Sequence, residues 1–197
     1  MTQIAHGIGH CIRVGLLLTA LAGTAAFADD YAPVNALLRS GQFSAAMDKA
    51  DQYLAKNPRD PQMQFLRALI QQDAGRQADA IVSYTKLIEA YPELPEPYNN
   101  VAVLYAAQGQ YEKARASLEM ATRTSRSYAT AYENLGDVYA RLASQSYSQA
   151  QQLEPGNTTI APKLALIRQL IGNPAQAKSA ATTDRARPPT PAASTAR

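Results

Sequence analysis

Residues 95–128, PEPYNNVAVLYAAQGQYEKARASLEMATRTSRSY, decide the fold. Tyr98, Val101, Ala102 and Tyr105 recur at the spacing of one helix face, and Ala114, Leu118 and Ala121 do so again after a break. Gly109 stands in that break, where a tight reversal needs left-handed or open backbone. Pro95 and Pro97 open the stretch, and a proline cannot continue a preceding helix. The segment reads as two short helices folded back on each other.

The same stations return every 34 residues. Gly41, Gly75 and Gly109 share that step, as do Ala46, Ala80 and Ala114, and Ala68, Ala102 and Gly136. Pro58 and Pro92, Tyr98 and Tyr132, and Tyr105 and Tyr139 are also 34 apart. Independent positions with one period mark stacked helix pairs, each burying its apolar face on the next. The alanines at 46, 80 and 114 sit where two helices cross, and 68, 102 and 136 must likewise be small. The aromatics plug the gap to the next pair, and the prolines separate repeats. The pattern predicts helices near 31–40, 44–56, 61–74, 78–91, 95–108 and 112–124.

The fourth unit breaks the rule. Counted from Tyr139, the motif Ala150-Gln151-Gln152-Leu153-Glu154-Pro155 arrives five residues early, and no Gly, Pro, Asn or Asp lies between Val138 and Leu153 to make a turn. An apolar stripe of Tyr132, Leu135, Tyr139, Leu142, Tyr147, Ala150 and Leu153 runs through the gap. One long helix over 129–153 follows, roughly 37 Å at 1.5 Å per residue; the alternative is a tight turn at Ser144-Gln145-Ser146. After Pro155-Gly156-Asn157 a helix over 160–171, with Leu164, Ile167, Leu170 and Ile171 apolar, is placed to cap the array.

The large, small, aromatic, glycine, alanine and proline stations resemble the tetratricopeptide repeat family across residues 29–155. The best unit is 95–128, in which Arg126 replaces the closing proline; 61–94 matches in its second helix (Ala80, Tyr84, Leu87, Pro92), but Gln64, Arg67 and Gln71 occupy usually apolar sites in its first. Repeats of about 29–60, 61–94 and 95–128, a shortened 129–155 and the cap 160–171 make one domain, 29–172. The resemblance implies an all-α, right-handed α-solenoid, here with a long irregular fourth-repeat helix and a C-terminal capping helix.

The ends differ from the body. Arg13, the apolar run 14–28 and Ala26-Phe27-Ala28 before Asp29-Asp30 read as a secretory signal peptide over 1–28. The run is short for an uncleaved anchor, since a spanning helix needs about 20 apolar residues. Export across an inner membrane to the periplasm, with no stable insertion after cleavage, is the expectation. Residues 173–197, rich in Ala, Pro and Thr with a basic excess, have little to bury and are expected to be disordered. Between Arg13 and that tail the chain has 14 basic and 15 acidic residues, so the pI near 9.0 describes the ends and not a basic face for nucleic acid.

Cys11, His6 and His10 all fall in the signal segment, which leaves the mature chain no thiol or imidazole for catalysis or zinc binding. The carboxylate pairs Glu133/Asp137 and Glu93/Glu96 read as solvated surface, and no phosphate-cradling loop or nucleophile elbow is present. No enzyme and no cofactor are expected.

The family resemblance places the binding surface on the first helix of each pair, at Phe65, Leu69, Gln72, Asn99, Asn100, Val103, Ala106, Ala107, Glu133, Asn134, Asp137 and Arg141. Asn100 and Asn134, 34 apart, either bond the backbone of a bound peptide or steady the neighbouring helix. The family's carboxylate clamps need basic residues where this chain has Phe65, Leu69, Thr130 and Asn134, with only Asn100 agreeing, so that mode is not expected. The groove looks apolar at repeat two and polar towards repeat four. The proline-rich 91–98 segment reads as a rigid linker. The leading expectation is a scaffold for a protein or peptide partner in the cell envelope. The alternative is a self-associating structural protein, a homo-oligomer built on the 129–153 helix.

Overall fold

The computed structural model describes residues 25–172, with side chains from Asp30 onward. The disordered-tail expectation and most of the signal-segment expectation lie outside the described residues. Eight helices follow one another among those described: α1 Ala25–Arg39, α2 Phe43–Lys56, α3 Pro61–Asp73, α4 Gln77–Ala90, α5 Pro95–Ala107, α6 Tyr111–Thr124, α7 Ala129–Leu153 and α8 Ile160–Ile171. The bounds from α2 to α8 fall within a residue of those expected. α1 instead starts at Ala25, six residues early, because the run Ala25, Ala26 and Ala28 favours helix strongly.

Each tight turn has a local cause. Gly41, Gly75 and Gly109 adopt φ of 73°, 78° and 73°, a region where a Cβ is penalised. Around Gly75 the backbone closes with Gly75 N–H to Gln72 O (3.0 Å) and Arg76 N–H to Gln71 O (2.8 Å), satisfying carbonyls that the helix end leaves open. The other two glycines repeat the pattern. At the start of α3, the Asp60 carboxylate accepts from the Met63 N–H at 2.7 Å, and Pro61 occupies a first-turn site that needs no donor.

Successive helices pack side by side, and the first helices of neighbouring repeats also touch, α1 on α3 and α5 on α7. The product is a right-handed α-solenoid with two linked apolar clusters. One joins α1 to α4 through Leu38, Met63, Leu66, Ile70, Tyr84 and Leu87; the other joins α5 to α7 through Tyr98, Ala102, Ala114, Leu118, Ala131 and Val138. Ile88 and Tyr105 touch both. Asp60 adds a polar tie, accepting from the hydroxyls of Tyr31 (2.6 Å) and Tyr53 (3.2 Å) and so fastening repeat one to repeat two.

α7 is continuous, so no turn forms at Ser144-Gln145-Ser146. The face that α7 buries differs from the expected stripe. Ala131 and Val138, with Leu135 and Leu142, point to the core, whereas Tyr132, Tyr139 and Leu153 of the expected stripe are exposed. Gly136, expected to be small for packing, has open space where a Cβ would stand, unlike the fully buried Ala68 and Ala102. The reason is that α7 runs straight on where earlier repeats fold a second helix back over this position. α8 buries Ile160 and Leu164 and holds Lys163 over the Tyr147 ring at 5.8 Å, but its Leu166 and Leu170 face solvent, so the cap is partial.

Candidate functional site

The residues that the family resemblance places on the inner face of the first helices divide into two classes. Phe65 and Leu69, expected to give the groove an apolar start, are buried instead, Phe65 with its ring 5.7 Å from that of Tyr84. α3 has helices on both sides, and large side chains at these stations fill the space between repeats rather than facing out. Asn99 is likewise withdrawn into the core. Repeat two therefore offers little apolar surface to a partner.

Four of the expected polar residues form a chain of hydrogen bonds between repeats. Tyr84 Oη donates to Gln72 Oε1 (3.2 Å) and accepts from Asn100 Nδ2 (3.1 Å). Asn99 Nδ2 donates to Asn100 Oδ1 (3.2 Å), and Asn134 Nδ2 donates to Asn99 Oδ1 (2.8 Å). Asn100 and Asn134 thus bond to neighbouring helices, and Asn134 also lines the cavity between α5 and α7. Burial pushes the Tyr84 hydroxyl well above the ordinary tyrosine range, with the Asn100 bond opposing part of that shift.

The rest of the expected surface converges. Val103, Ala106 and Ala107 of α5 face Asn134, Asp137 and Arg141 of α7 across a cavity of about 400 Å³, floored by Ala102, Leu118 and Val138 and closed at one side by Tyr111. Small side chains on α5 make this room; larger ones would fill it. Asp137 and Arg141, one turn apart on α7, are exposed and form no ion pair among the described residues, and Glu133 lies one turn further towards the start of the helix. The groove combines an apolar floor with a wall that bears one acid, one base and one amide. That suits a peptide segment with a small apolar side chain to insert and backbone or charge to bond.

Tyr111 is a lining residue that the sequence reading does not single out. A signal exists, since Phe43 and Tyr111 open second helices two periods, 68 residues, apart. Gln77 at the intervening station hides the repeat. The carboxylates Glu133 and Asp137 belong to the exposed wall of α7, and no group of three or more His, Cys, Asp or Glu side chains gathers to hold a metal among the described residues.

Comparison with known proteins agrees with this architecture. Family models described as tetratricopeptide repeat match residues 31–95 and 83–116, and one described as TPR repeat matches 102–143. Among curated proteins, Photosystem I assembly protein Ycf3 of Cyanophora paradoxa is 31% identical over 99 residues, covering 50% of this chain and 55% of that protein. Tetratricopeptide repeat domain-containing protein PYG7, chloroplastic, of Arabidopsis thaliana is 30% identical over 84 residues, 40% of this chain and 28% of that one. The chain thus spans about half of one relative and under a third of the other. Among solved structures, a thermophilic TPR protein of Thermus thermophilus, TTC0263, superposes with a TM-score of 0.55 at 24% identity, covering 78% of this chain and 87% of that one. MamA of Desulfovibrio magneticus RS-1 gives 0.54 at 18% identity, covering 78% and 88%. Matches that together run from residue 31 to 143, on a solenoid of the same build, make this chain a member of the tetratricopeptide repeat family.

Proposed function

We propose that the protein is a scaffold that acts by binding and not by catalysis, taking a peptide segment of a protein partner into the groove between α5 and α7. The observation that carries this is the convergence of Val103, Ala106, Ala107, Asn134, Asp137 and Arg141 on one open cavity. The assembly role in the name of the Cyanophora relative is in keeping with it. Val103 and Ala107 are exposed, so Val103→Glu with Ala107→Arg obstructs the groove without entering the core. Crosslinking and mass spectrometry on cells should identify a partner joined to residues 103–141. The double variant should lose that partner while keeping its helical spectrum. A partner retained at full yield by the folded double variant would refute the assignment.

The proposed site of action is the periplasm, after export and cleavage following Ala28. Besides the apolar run, Pro33 supports this. In the uncut helix it falls in the interior, where it removes the donor for the Asp29 carbonyl. With Asp30 as the capping residue, Pro33 would instead sit in the first turn, where no donor is required. N-terminal sequencing of the protein from a periplasmic fraction should read Asp29-Asp30-Tyr31. Recovery of an intact N-terminus in the cytosolic fraction would count against export.

A further inference from the structure

In the regular repeats, the second helix folds over a fixed set of stations on the first. Tyr98 is 7% exposed and Ala102 wholly buried beneath α6. The matching residues of α7 are bare: Tyr132 is 49% exposed, Tyr139 is 47% exposed, and nothing lies within 4 Å of a Cβ built on Gly136. The first helix of repeat four has no second helix against it.

The missing helix is nevertheless encoded. Allowing for the five-residue shortening, Ala143, Tyr147 and Ala150 stand at the stations of Ala114, Leu118 and Ala121, all fully or almost fully buried in repeat three. In the continuation of α7 the three are only half-buried, although α8 packs along one side of this stretch with Lys163 over the Tyr147 ring, and Leu153 beyond them is exposed. The two faces that should meet therefore lie on one straight helix, which cannot fold back on itself. A second copy running antiparallel brings them together twice: residues 132–139 of each α7 meet 143–150 of the other. We propose that this face of α7 pairs two copies of the chain about a two-fold axis close to Ala140, each supplying the helix that the other's fourth repeat lacks.

Three observations favour a second copy over an unrelated partner. The complementary set of stations is present in the same chain, in the order that an isologous, two-fold contact needs. The stripe Tyr132, Gly136, Tyr139, Ala143, Tyr147 and Ala150 bears no charge of its own, and the Lys163 ammonium of α8 lies at Tyr147, well away from the axis, so like charges do not meet there. The small residues Gly136 and Ala143 fall near the axis, where the helix backbones must approach most closely. The paired stretch, residues 132–150, is a strip roughly 28 Å by 10 Å on each copy, on the order of 600 Å² in total. Stable specific interfaces start at about 1,200 Å². Reversible, concentration-dependent pairing follows from that difference.

Sedimentation of the purified full chain over a wide concentration range tests this, with Gly136→Arg as the decisive variant. The monomer has room for the new side chain, so the melting temperature should hold or rise. Association should weaken at least tenfold. With Cys11→Ser, an added Ala140→Cys should give a disulfide-linked dimer under mild oxidation, and Gly136→Arg should suppress it. A chain that stays monomeric at every concentration overturns the proposal. So does a dimer that Gly136→Arg leaves unchanged, because that dimer would use another surface.

Discussion

At the scale of single residues, the amide and hydroxyl chain from Gln72 to Asn134 shows how a family position is used in this protein. The asparagines at 100 and 134 are visible in the sequence as a 34-residue echo, but a repeat of donors looks the same whether the bonds go to a ligand or to the next helix. The bonds to Tyr84 and Asn99 show both engaged within the fold, while Asn134 also lines the groove. Asn99 is buried and serves both neighbours. Asn99→Ala should therefore cost about 1–3 kcal/mol, because partners lose a bond inside the fold where water cannot replace it. Urea unfolding measures this. Phe65 and Leu69 make the converse point: their helical face is legible, but both large side chains are buried, Phe65 against the Tyr84 ring.

Two tyrosines give the stability a pH edge. Burial raises the Tyr84 hydroxyl, and burial with the Asp60 hydrogen bond raises that of Tyr31. In the unfolded chain both ionise near 10. Below that pH both states are neutral and the contribution to stability is fully present; above it the unfolded chain gains by losing protons that the fold retains. Thermal unfolding midpoints should hold up to about pH 10 and then fall. Tyr84→Phe should make the decline shallower than in the parent. An identical slope for both proteins would show that Tyr84 does not set it.

At the scale of elements, helix bounds are readable because glycine, alanine and proline punctuate each repeat, and the length of α7 is readable because every turn-forming residue is missing. What lies against α7 is not, since the shared period assigns Gly136 to the same packed station as Ala68 and Ala102. The structure separates them, and so should mutation. Ala102→Leu forces extra side-chain carbons between α5 and α6 and should cost about 1–3 kcal/mol through overpacking. Gly136→Ala meets open space within the chain and should stabilise α7 by about 0.5–1 kcal/mol, the usual gain of alanine over glycine in a helix. Denaturation at low protein concentration, where copies do not pair, compares the two directly.

For the whole molecule, stability in a solenoid is close to a sum over repeats and the contacts between neighbours, so its ends open first. Here the two ends are unequal. α3 is buried along most of its length, with Met63, Phe65, Leu66, Ala68, Leu69, Ile70 and Gln71 all inside, and Asp60 ties repeat one to it. The second half of α7 has no buried residue, and α8 buries only Ile160 and Leu164. Hydrogen exchange at low concentration should therefore rank the amides of α3 slowest and those of residues 144–171 fastest among the helices from α2 onward. The groove lies between these extremes. Its α5 wall belongs to the stable interior and its α7 wall to the helix whose far half opens easily. A partner seated on both walls should slow exchange in α7 far more than in α5, because only α7 has mobility to lose. Raising the chain concentration without a partner should protect 129–150 alone, separating self-pairing from groove binding in one experiment.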